Sequence, residues 1–286
     1  MPSQILVVGA TGKQGSQVLK HLLLAGHPAS AITALTRNPA SAAAEKIKSK
    51  GVNVVQGSLS NVESLKQALT GKDAAFLVTT AIIEKGEIDE DHQGQNFLDA
   101  AKAVSLPYLV FTSIASASQN TGVPHFESKH RIEESLKSSG LNWSIIRPVA
   151  FYDNWPKSAS FAQGMALGMF DAALKGKPLQ LIAVKDIGHF GAQALLHPET
   201  YGSKTTEIAG DELTMEQARA VYARVFGSAK KYWAPAFALR ALPFDLRVMF
   251  YWFESTGFAV SIPQVKAQHP GLLSLEDWLR AKEDDE

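Results

Sequence analysis

Residues 5–15 read Ile-Leu-Val-Val-Gly-Ala-Thr-Gly-Lys-Gln-Gly, and this stretch decides the fold. The apolar, mostly β-branched run at 5–8 predicts a buried strand, and a helical pattern begins near Lys13. Between strand and helix, the first glycine permits a tight turn and the second lets backbone approach a pyrophosphate. The third glycine lets the helix pack closely on the strand. The stretch therefore predicts a dinucleotide phosphate site.

The following chain alternates short apolar runs with helical patterns. The predicted strands are 5–8, 32–36, 52–56, 74–78, 108–112 and 143–146. Helices are predicted after the glycine loop, at about 91–103 and after Pro124, and Ser60 with Glu63 resembles a helix-capping box. Continuously apolar strands alternating with helices are typical of a parallel sheet covered on both faces. We predict an α/β fold with a Rossmann doubly wound parallel sheet.

The pattern changes after about residue 148. Residues 151–185 are rich in aromatic and small residues and are predicted to be irregular, apart from a strand at 179–184. A helix at 186–196, a strand at 205–208 and a helix at 214–226 follow. We predict a dinucleotide-binding domain at 1–150, to which 186–200 returns, and a smaller C-terminal substrate- or partner-binding lobe at 151–286.

Composition excludes several classes of function. The 28 basic and 28 acidic residues balance, which argues against direct nucleic-acid binding. The absence of cysteine excludes disulfides and thiolate chemistry, and the histidines lack metal-ligand spacing, so no metal is expected. We find no signal-peptide or membrane-span pattern and expect a cytoplasmic protein, monomeric or homodimeric, that makes no membrane contact.

The second predicted strand ends in Leu-Thr-Arg-Asn at 35–38. Folds that bind NAD place an acidic residue here, which accepts a hydrogen bond from the ribose hydroxyl. An arginine can instead pair with a 2′-phosphate through its guanidinium group. Arg37 therefore predicts NADP(H) as the cofactor.

Later motifs resemble the NmrA-like family, a branch of the atypical short-chain dehydrogenase/reductases. The motifs are the glycine loop, Thr-Arg-Asn-Pro at 36–39, Val-Gln-Gly at 55–57, Phe-Leu-Val-Thr at 76–79, His-Phe-Glu-Ser-Lys at 125–129, Arg-Pro at 147–148, Phe-Tyr-Asp-Asn at 151–154, and the segment 270–279. The resemblance therefore runs nearly end to end.

The resemblance implies a set of NADP(H) contacts along the chain. The expected cofactor-binding residues are Gly9, Ala10, Thr11, Gly12, Lys13, Gln14, Gly15, Arg37, Asn38, Ser58, Leu59, Thr79, Thr80, Ala81, Lys129, Pro148, Phe151, Tyr152 and Asn154. The chain departs from some relatives at Ser58, where they carry Asp, and at His92, where they carry Lys.

Ordinary short-chain dehydrogenases place a Tyr four residues before the active-site Lys, on one helix face. Here Lys129 is preceded at that spacing by His125. The proton donor is therefore His125, or Lys129 acting through water, or Tyr152 reaching in from a later loop; in a further alternative, His125 is structural and the site only binds cofactor. Ser113, after the fifth strand, either bonds a substrate carbonyl or caps backbone groups.

Two hypotheses of function follow from these residues. The first is an NADP(H)-dependent oxidoreductase that transfers hydride to a small conjugated, carbonyl-bearing or quinone-like substrate. Such acceptors depend less on a strong tyrosine acid. The second is a non-catalytic NADP(H) redox sensor or transcriptional co-regulator that acts through a protein partner and, in that role, could reside in the nucleus.

Overall fold

The computed structural model describes residues 2–80, 89–231 and 236–281. Its strands are β1 Ile5–Val8, β2 Ile32–Thr36, β3 Asn53–Gln56, β4 Ala74–Val78, β5 Tyr108–Thr112, β6 Trp143–Pro148, β7 Ala150–Phe151, β8 Leu179–Ile182, β9 Thr205–Ile208 and β10 Asp211–Leu213. The strands predicted at 5–8, 32–36, 74–78, 108–112 and 205–208 are confirmed to the residue.

The helices between and after these strands are α1 Lys13–Leu24, α2 Ala42–Lys48, α3 Val62–Leu69, α4 Glu90–Ala103, α5 Pro124–Lys137, α6 Phe161–Leu174, α7 Val184–Leu196, α8 Pro198–Tyr201, α9 Met215–Phe226, α10 Phe244–Ser255, α11 Ile262–Gln268 and α12 Leu275–Arg280. Short 3-10 turns occur at Ala29–Ala31, Ala117–Gln119, Tyr152–Asn154 and Ala236–Ala241.

Within the described residues, a seven-stranded sheet has the order β3-β2-β1-β4-β5-β6-β9. The pairs from β3 to β6 are parallel, and the prediction of a Rossmann-type α/β fold is confirmed. The strand order reverses direction between β1 and β4, which both pair in parallel with their neighbours. Ligands of such sheets bind beyond the carboxyl ends of the strands at this switch point.

Burial explains the parallel arrangement. Every residue of β1, β2 and β5 is buried, as helices on both faces require. On one face, Leu6, Leu77, Phe97 and Phe111 pack in a core that continues through α3, α4 and α5. Each such side chain contributes roughly 1.5–3 kcal/mol on burial, so this core fixes the strand ends and the loops that follow them.

The contacts divide the chain into two compact units. The first unit comprises residues 1–117, 125–147 and 187–206, and the second comprises 118–124, 148–186 and 207–286. The first unit ends its main run at residue 147, whereas the predicted domain boundary follows residue 150. Residues 118–124 belong to the second unit.

The second unit contains a small sheet of order β10-β8-β7. The prediction that 151–185 is irregular outside its strand is wrong, because α6 occupies Phe161–Leu174. Its cap is Ser160, whose side chain accepts from the backbone of Gln163 at 3.2 Å. Gly164 and Gly168 are buried within it, and glycines of this kind obscure a helical pattern in sequence.

Aromatic side chains form much of the core of the second unit. Phe170 of α6 meets Phe250 of α10 edge to face, with ring centroids 5.0 Å apart, and Trp252 and Phe253 are buried beside them. Phe250, Trp252 and Phe253 are therefore core, although Phe244 and Tyr251 of the same helix are exposed.

Candidate active site

The glycine loop joins β1 to α1 in the first unit. Gly9 has φ +69°, and a Cβ there would lie 2.5 Å from Val78. A Cβ at Gly15 would collide with the carbonyl group of Gly9, so the turn and the close helix approach both require glycine. Gly12 caps α1 without a side-chain hydrogen bond, and the first turn carries no acidic residue. This helix start can hold a phosphate group through its backbone N–H groups.

Arg37 and Asn38 follow β2 at its carboxyl end and are exposed. The turn is ordered locally: the backbone N–H of Asn38 donates to the Thr36 hydroxyl at 3.3 Å, and Asn38 Oδ1 accepts from the Ala40 N–H at 3.0 Å. Ser41 then caps α2. Arg37 therefore lies on an ordered turn at the carboxyl end of β2, which is the edge where sheets of this kind bind ligands.

The Ser58–Leu59 turn follows β3 and is tied to two helices. The backbone N–H of Ser58 donates to the Ser64 hydroxyl at 3.2 Å, and Asn96 Nδ2 donates to the Leu59 carbonyl at 2.9 Å. The predicted capping box at Ser60 and Glu63 is wrong by one residue, because Asn61 caps α3 by accepting from the Ser64 N–H.

Helix α4 holds the end of β4 through two side chains one turn apart. Glu90 Oε1 accepts from the Thr79 hydroxyl at 2.8 Å. Gln93 brackets the backbone of Thr80, accepting from its N–H at 3.1 Å and donating to its carbonyl at 3.3 Å. Ala81, a predicted cofactor contact, lies outside the described residues.

Lys129, on α5, reaches the same carboxylate. Its Nζ donates to Glu90 Oε1 at 2.8 Å and to Thr79 Oγ1 at 3.3 Å, and it lies 5.7 Å from the centroid of the Phe111 ring. Ser128 Oγ donates to Glu90 Oε2 at 2.5 Å. An ammonium has three donors, and among the described residues two are accounted for. The site can therefore offer a fixed cation to a ligand.

Glu90 is the residue that the sequence did not reveal. Its side chain is 3% exposed. Burial pulls the pKa of its carboxyl upward, but the charge of Lys129 and hydrogen bonds from Lys129, Ser128 and Thr79 outweigh burial and hold the pKa below its ordinary value. The carboxylate is therefore ionised at neutral pH.

Ser113 and Thr112 lie at the carboxyl end of β5. The Thr112 hydroxyl donates to Gln14 Oε1 at 2.7 Å, which ties the glycine loop to this strand. Ser113 is buried, and its hydroxyl has no hydrogen-bond partner within the described part of the chain. A buried hydroxyl without a partner is costly, so Ser113 Oγ is available to a bound polar group.

His125 is the second residue of α5, one turn before Lys129, and is half-buried. Its ring packs edge to face on Phe126, with centroids 4.9 Å apart. The i, i+4 spacing puts His125 and Lys129 on one helix face, as the sequence predicts.

Other predicted residues belong to the second unit. Pro148 is buried, Phe151 is half-buried and Asn154 is exposed. Tyr152 is fully buried, with its ring centroid 5.7 Å from that of Trp278. Burial first, and then three nearby carboxylates, raise the pKa of Tyr152 far above its ordinary value.

One group of side chains, His130, Glu133 and Glu134, brings three ligand atoms within 4.8 Å of one another. Both oxygens of Glu133 are engaged by Arg147, whose Nε and Nη2 donate at 2.8 and 2.5 Å. This buried, bidentate pair joins α5 to β6 and occupies both oxygens of Glu133.

The sheet order and the glycine loop define a Rossmann-type fold with a glycine-rich turn between β1 and α1. This chain belongs to the NmrA-like family, whose sequence model matches residues 1–270. The family resemblance inferred from the motifs is thereby confirmed.

Curated relatives match this chain over segments of different length. Quinone oxidoreductase 2 of Escherichia coli (strain K12) is 30% identical over 234 residues, which cover 80% of this chain and 76% of the relative. Photosystem II assembly factor Ycf39 of Cyanophora paradoxa is 36% identical over 151 residues, or 52% of this chain. Against that second relative, the chain spans just under half of its length, 46%.

Solved structures share the fold at low identity. The triphenylmethane reductase of Citrobacter sp., complexed with NADP(H), has a TM-score of 0.79 at 19% identity, covering 97% of this chain and 99% of its own. NmrA, a negative transcriptional regulator in complex with NADP, has a TM-score of 0.71 at 18% identity, covering 97% and 94%. In the described ranges, every helix is too short or too polar to cross a membrane.

Proposed function

We propose that this protein is an NADP(H)-dependent oxidoreductase that reduces a small conjugated, carbonyl-bearing or quinone-like substrate. The observation that carries the proposal is the Lys129 ammonium, held by Glu90 and Thr79 beside the carboxyl end of β4. Curated relatives named as a quinone oxidoreductase and an azoreductase support the same reaction class.

The residues present fit the cofactor. The uncapped start of α1 would take the pyrophosphate, and Arg37 would pair with the 2′-phosphate. Lys129 would donate to the nicotinamide ribose. NADP(H), when bound, supplies the hydride for the reduction.

The chain's own residues orient the substrate and supply the proton. The Ser113 hydroxyl, buried and without a partner among the described residues, would donate to the substrate oxygen. We assign the proton donor to His125, because imidazole is the side chain that most often transfers protons at neutral pH. Tyr152 is the weaker candidate because its burial disfavours the phenolate that proton donation would leave.

The test is NADPH oxidation, followed aerobically and anaerobically against quinones, enones, imines and azo compounds, with wild type and Lys129→Met side by side. We expect substrate-dependent oxidation in at least one class and a fall of about a hundredfold in kcat/KM for Lys129→Met. Tight NADPH binding without turnover in any class would contradict the proposal.

The second candidate function is a redox sensor, and the absence of the usual tyrosine four residues before Lys129 favours it. A sensor must bind its two cofactor forms or its partner differently, because a ligand shifts an equilibrium only through differential affinity. Titration with NADP⁺ and NADPH separates the two hypotheses. A large difference in affinity together with no turnover supports the sensor, whereas turnover with similar affinities supports the enzyme.

A further inference from the structure

Glu90 is a buried carboxylate in the first turn of α4 that three side chains contact at once. Lys129 Nζ and Thr79 Oγ1 each donate to Oε1 at 2.8 Å, and Ser128 Oγ donates to Oε2 at 2.5 Å. The donors come from the end of β4 and from α5. Because both oxygens of the Glu90 carboxylate accept hydrogen bonds, the carboxylate is held in one orientation.

The same bonds close a ring. Lys129 donates to Thr79, Thr79 donates to Glu90, and Glu90 also accepts from Lys129. Because a hydroxyl has one proton, the donation from Thr79 to Glu90 fixes the direction in which Lys129 can bond to Thr79. Two of the three ammonium protons are thereby oriented.

We propose that Glu90 is a positioning residue for Lys129, which balances the charge of the ammonium and orients two of its donors, so that the third is left for a bound dinucleotide. This inference rests on the proposed function, in which Lys129 binds the nicotinamide ribose. Lys129 then acts as a cation and hydrogen-bond donor, and the role of a proton relay through water falls away.

The physical need for a counter-charge comes from desolvation. The Lys129 side chain is only 13% exposed and lies over the Phe111 ring. A lysine in such surroundings loses its proton more readily when no carboxylate balances it. Strands β4 and β5 carry no charged side chain, and the ionisable groups within four residues of Glu90 or Lys129 on the two helices and the α4 cap are Asp89, Asp91, His92, His125, Glu127, His130, Arg131 and Glu133. Glu133 pairs with Arg147. Asp91 and Arg131 pair with each other at 2.6 Å.

The test measures the protonation of Lys129 without substrate or cofactor. Trace labelling of the intact protein with acetic anhydride across pH 6–11, read by peptide mass spectrometry, gives the midpoint at which each lysine becomes reactive. Lys137 on the same helix is the internal reference. We expect Glu90→Gln to lower the Lys129 midpoint by about one pH unit or more, which raises labelling about tenfold at a pH well below both midpoints.

Two controls separate charge from shape. Ser128→Ala removes one hydrogen bond and keeps the carboxylate, and Glu90→Asp keeps the charge on a shorter side chain. Both should leave the Lys129 midpoint closer to wild type than Glu90→Gln does. An unchanged midpoint in a folded Glu90→Gln protein, or an equal shift in Ser128→Ala, would overturn the inference.

Cofactor binding gives the second readout. The pH at which NADPH affinity declines should be lower in Glu90→Gln than in wild type by the same amount as the Lys129 midpoint, and Glu90→Gln should add nothing to Lys129→Met. Additive losses in the double variant would contradict a role through Lys129. A wild type that turns over no substrate would defeat the proposed function alone, because a lowered midpoint in Glu90→Gln would still support this assignment.

Discussion

Gly94 of α4 lies directly against Ile132 of α5, and a Cβ at Gly94 would come within 2.9 Å of three carbons of that side chain. One turn earlier on both helices, Glu90 accepts from Ser128. The close approach at Gly94 therefore sets the spacing that lets the carboxylate of α4 reach α5.

Gly94→Ala should consequently destabilise the protein even though alanine favours helices. Overpacking costs about 1–3 kcal/mol and the helical preference of Ala returns roughly 1 kcal/mol, which leaves a net loss of about 1 kcal/mol. Urea unfolding measures the change. In an Ile132→Ala background the space opens, and the same substitution should become stabilising; an equal loss in both backgrounds would show that the contact does not set the spacing.

The lowered pKa of Glu90 makes a pH-dependent contribution to stability. A carboxyl whose pKa is lower when folded than when unfolded stabilises the fold above its unfolded value, near 4.5, and loses that contribution as the pH falls through the folded value. Glu90→Gln should therefore flatten the acid limb of the stability curve. Unfolding midpoints in urea from pH 7 to pH 3 test this, and parallel curves for wild type and variant would contradict it.

Arg37 should decide between the two dinucleotides. An ion-paired hydrogen bond to the 2′-phosphate contributes roughly 1.5–3 kcal/mol, so Arg37→Ala should weaken NADPH binding by about tenfold to a hundredfold. NADH lacks that phosphate, and its affinity should stay within about twofold. Fluorescence titration of both cofactors checks the prediction, which fails if the two affinities move together.

Substitutions of His125 and Tyr152 should have very different effects on kcat if His125 is the proton donor. His125→Asn should lower kcat by about a hundredfold, and the loss should shrink for acceptors that need no strong acid. Tyr152→Phe should keep kcat within about twofold, because the buried hydroxyl is disfavoured as a phenolate. Steady-state kinetics of the two variants on one substrate decide the matter, and the reverse ranking would reassign the donor.

Tyr152→Phe also makes a prediction about stability. The Tyr152 hydroxyl is buried without a hydrogen-bond partner in the described ranges, so its removal should leave the free energy of unfolding unchanged or slightly higher. A loss of more than about 1 kcal/mol in urea unfolding would mean that the hydroxyl has a favourable contact.

Sequence was sufficient where local pattern and burial agree. Strands β1, β2, β4 and β5 follow from apolar runs that the fold buries, and the glycine turn follows from glycines at which a Cβ would collide with neighbouring atoms. Local pattern failed at α6, where glycines hide a buried helix, and at the α3 cap, where two polar neighbours compete for one position.

Glu90 shows why the site was only partly predictable. In sequence it stands among Asp89 and Asp91 and is typical of a solvated acidic helix start. Its burial depends on Lys129, which lies 39 residues later and reaches it only through the packing of α5 on α4. Sequence periodicity describes each helix by itself, so it does not predict a contact between side chains of two different helices.

The most direct measurement follows the hydride itself. The protein is incubated with NADPH deuterated at the transferable position of the nicotinamide and with the best acceptor from the screen, and the product is analysed by mass spectrometry. For a carbon acceptor such as an enone or imine, we expect product that carries deuterium in wild type and far less product with Lys129→Met. If the protein binds deuterated NADPH but no acceptor of any class is reduced, the proposed hydride transfer is contradicted.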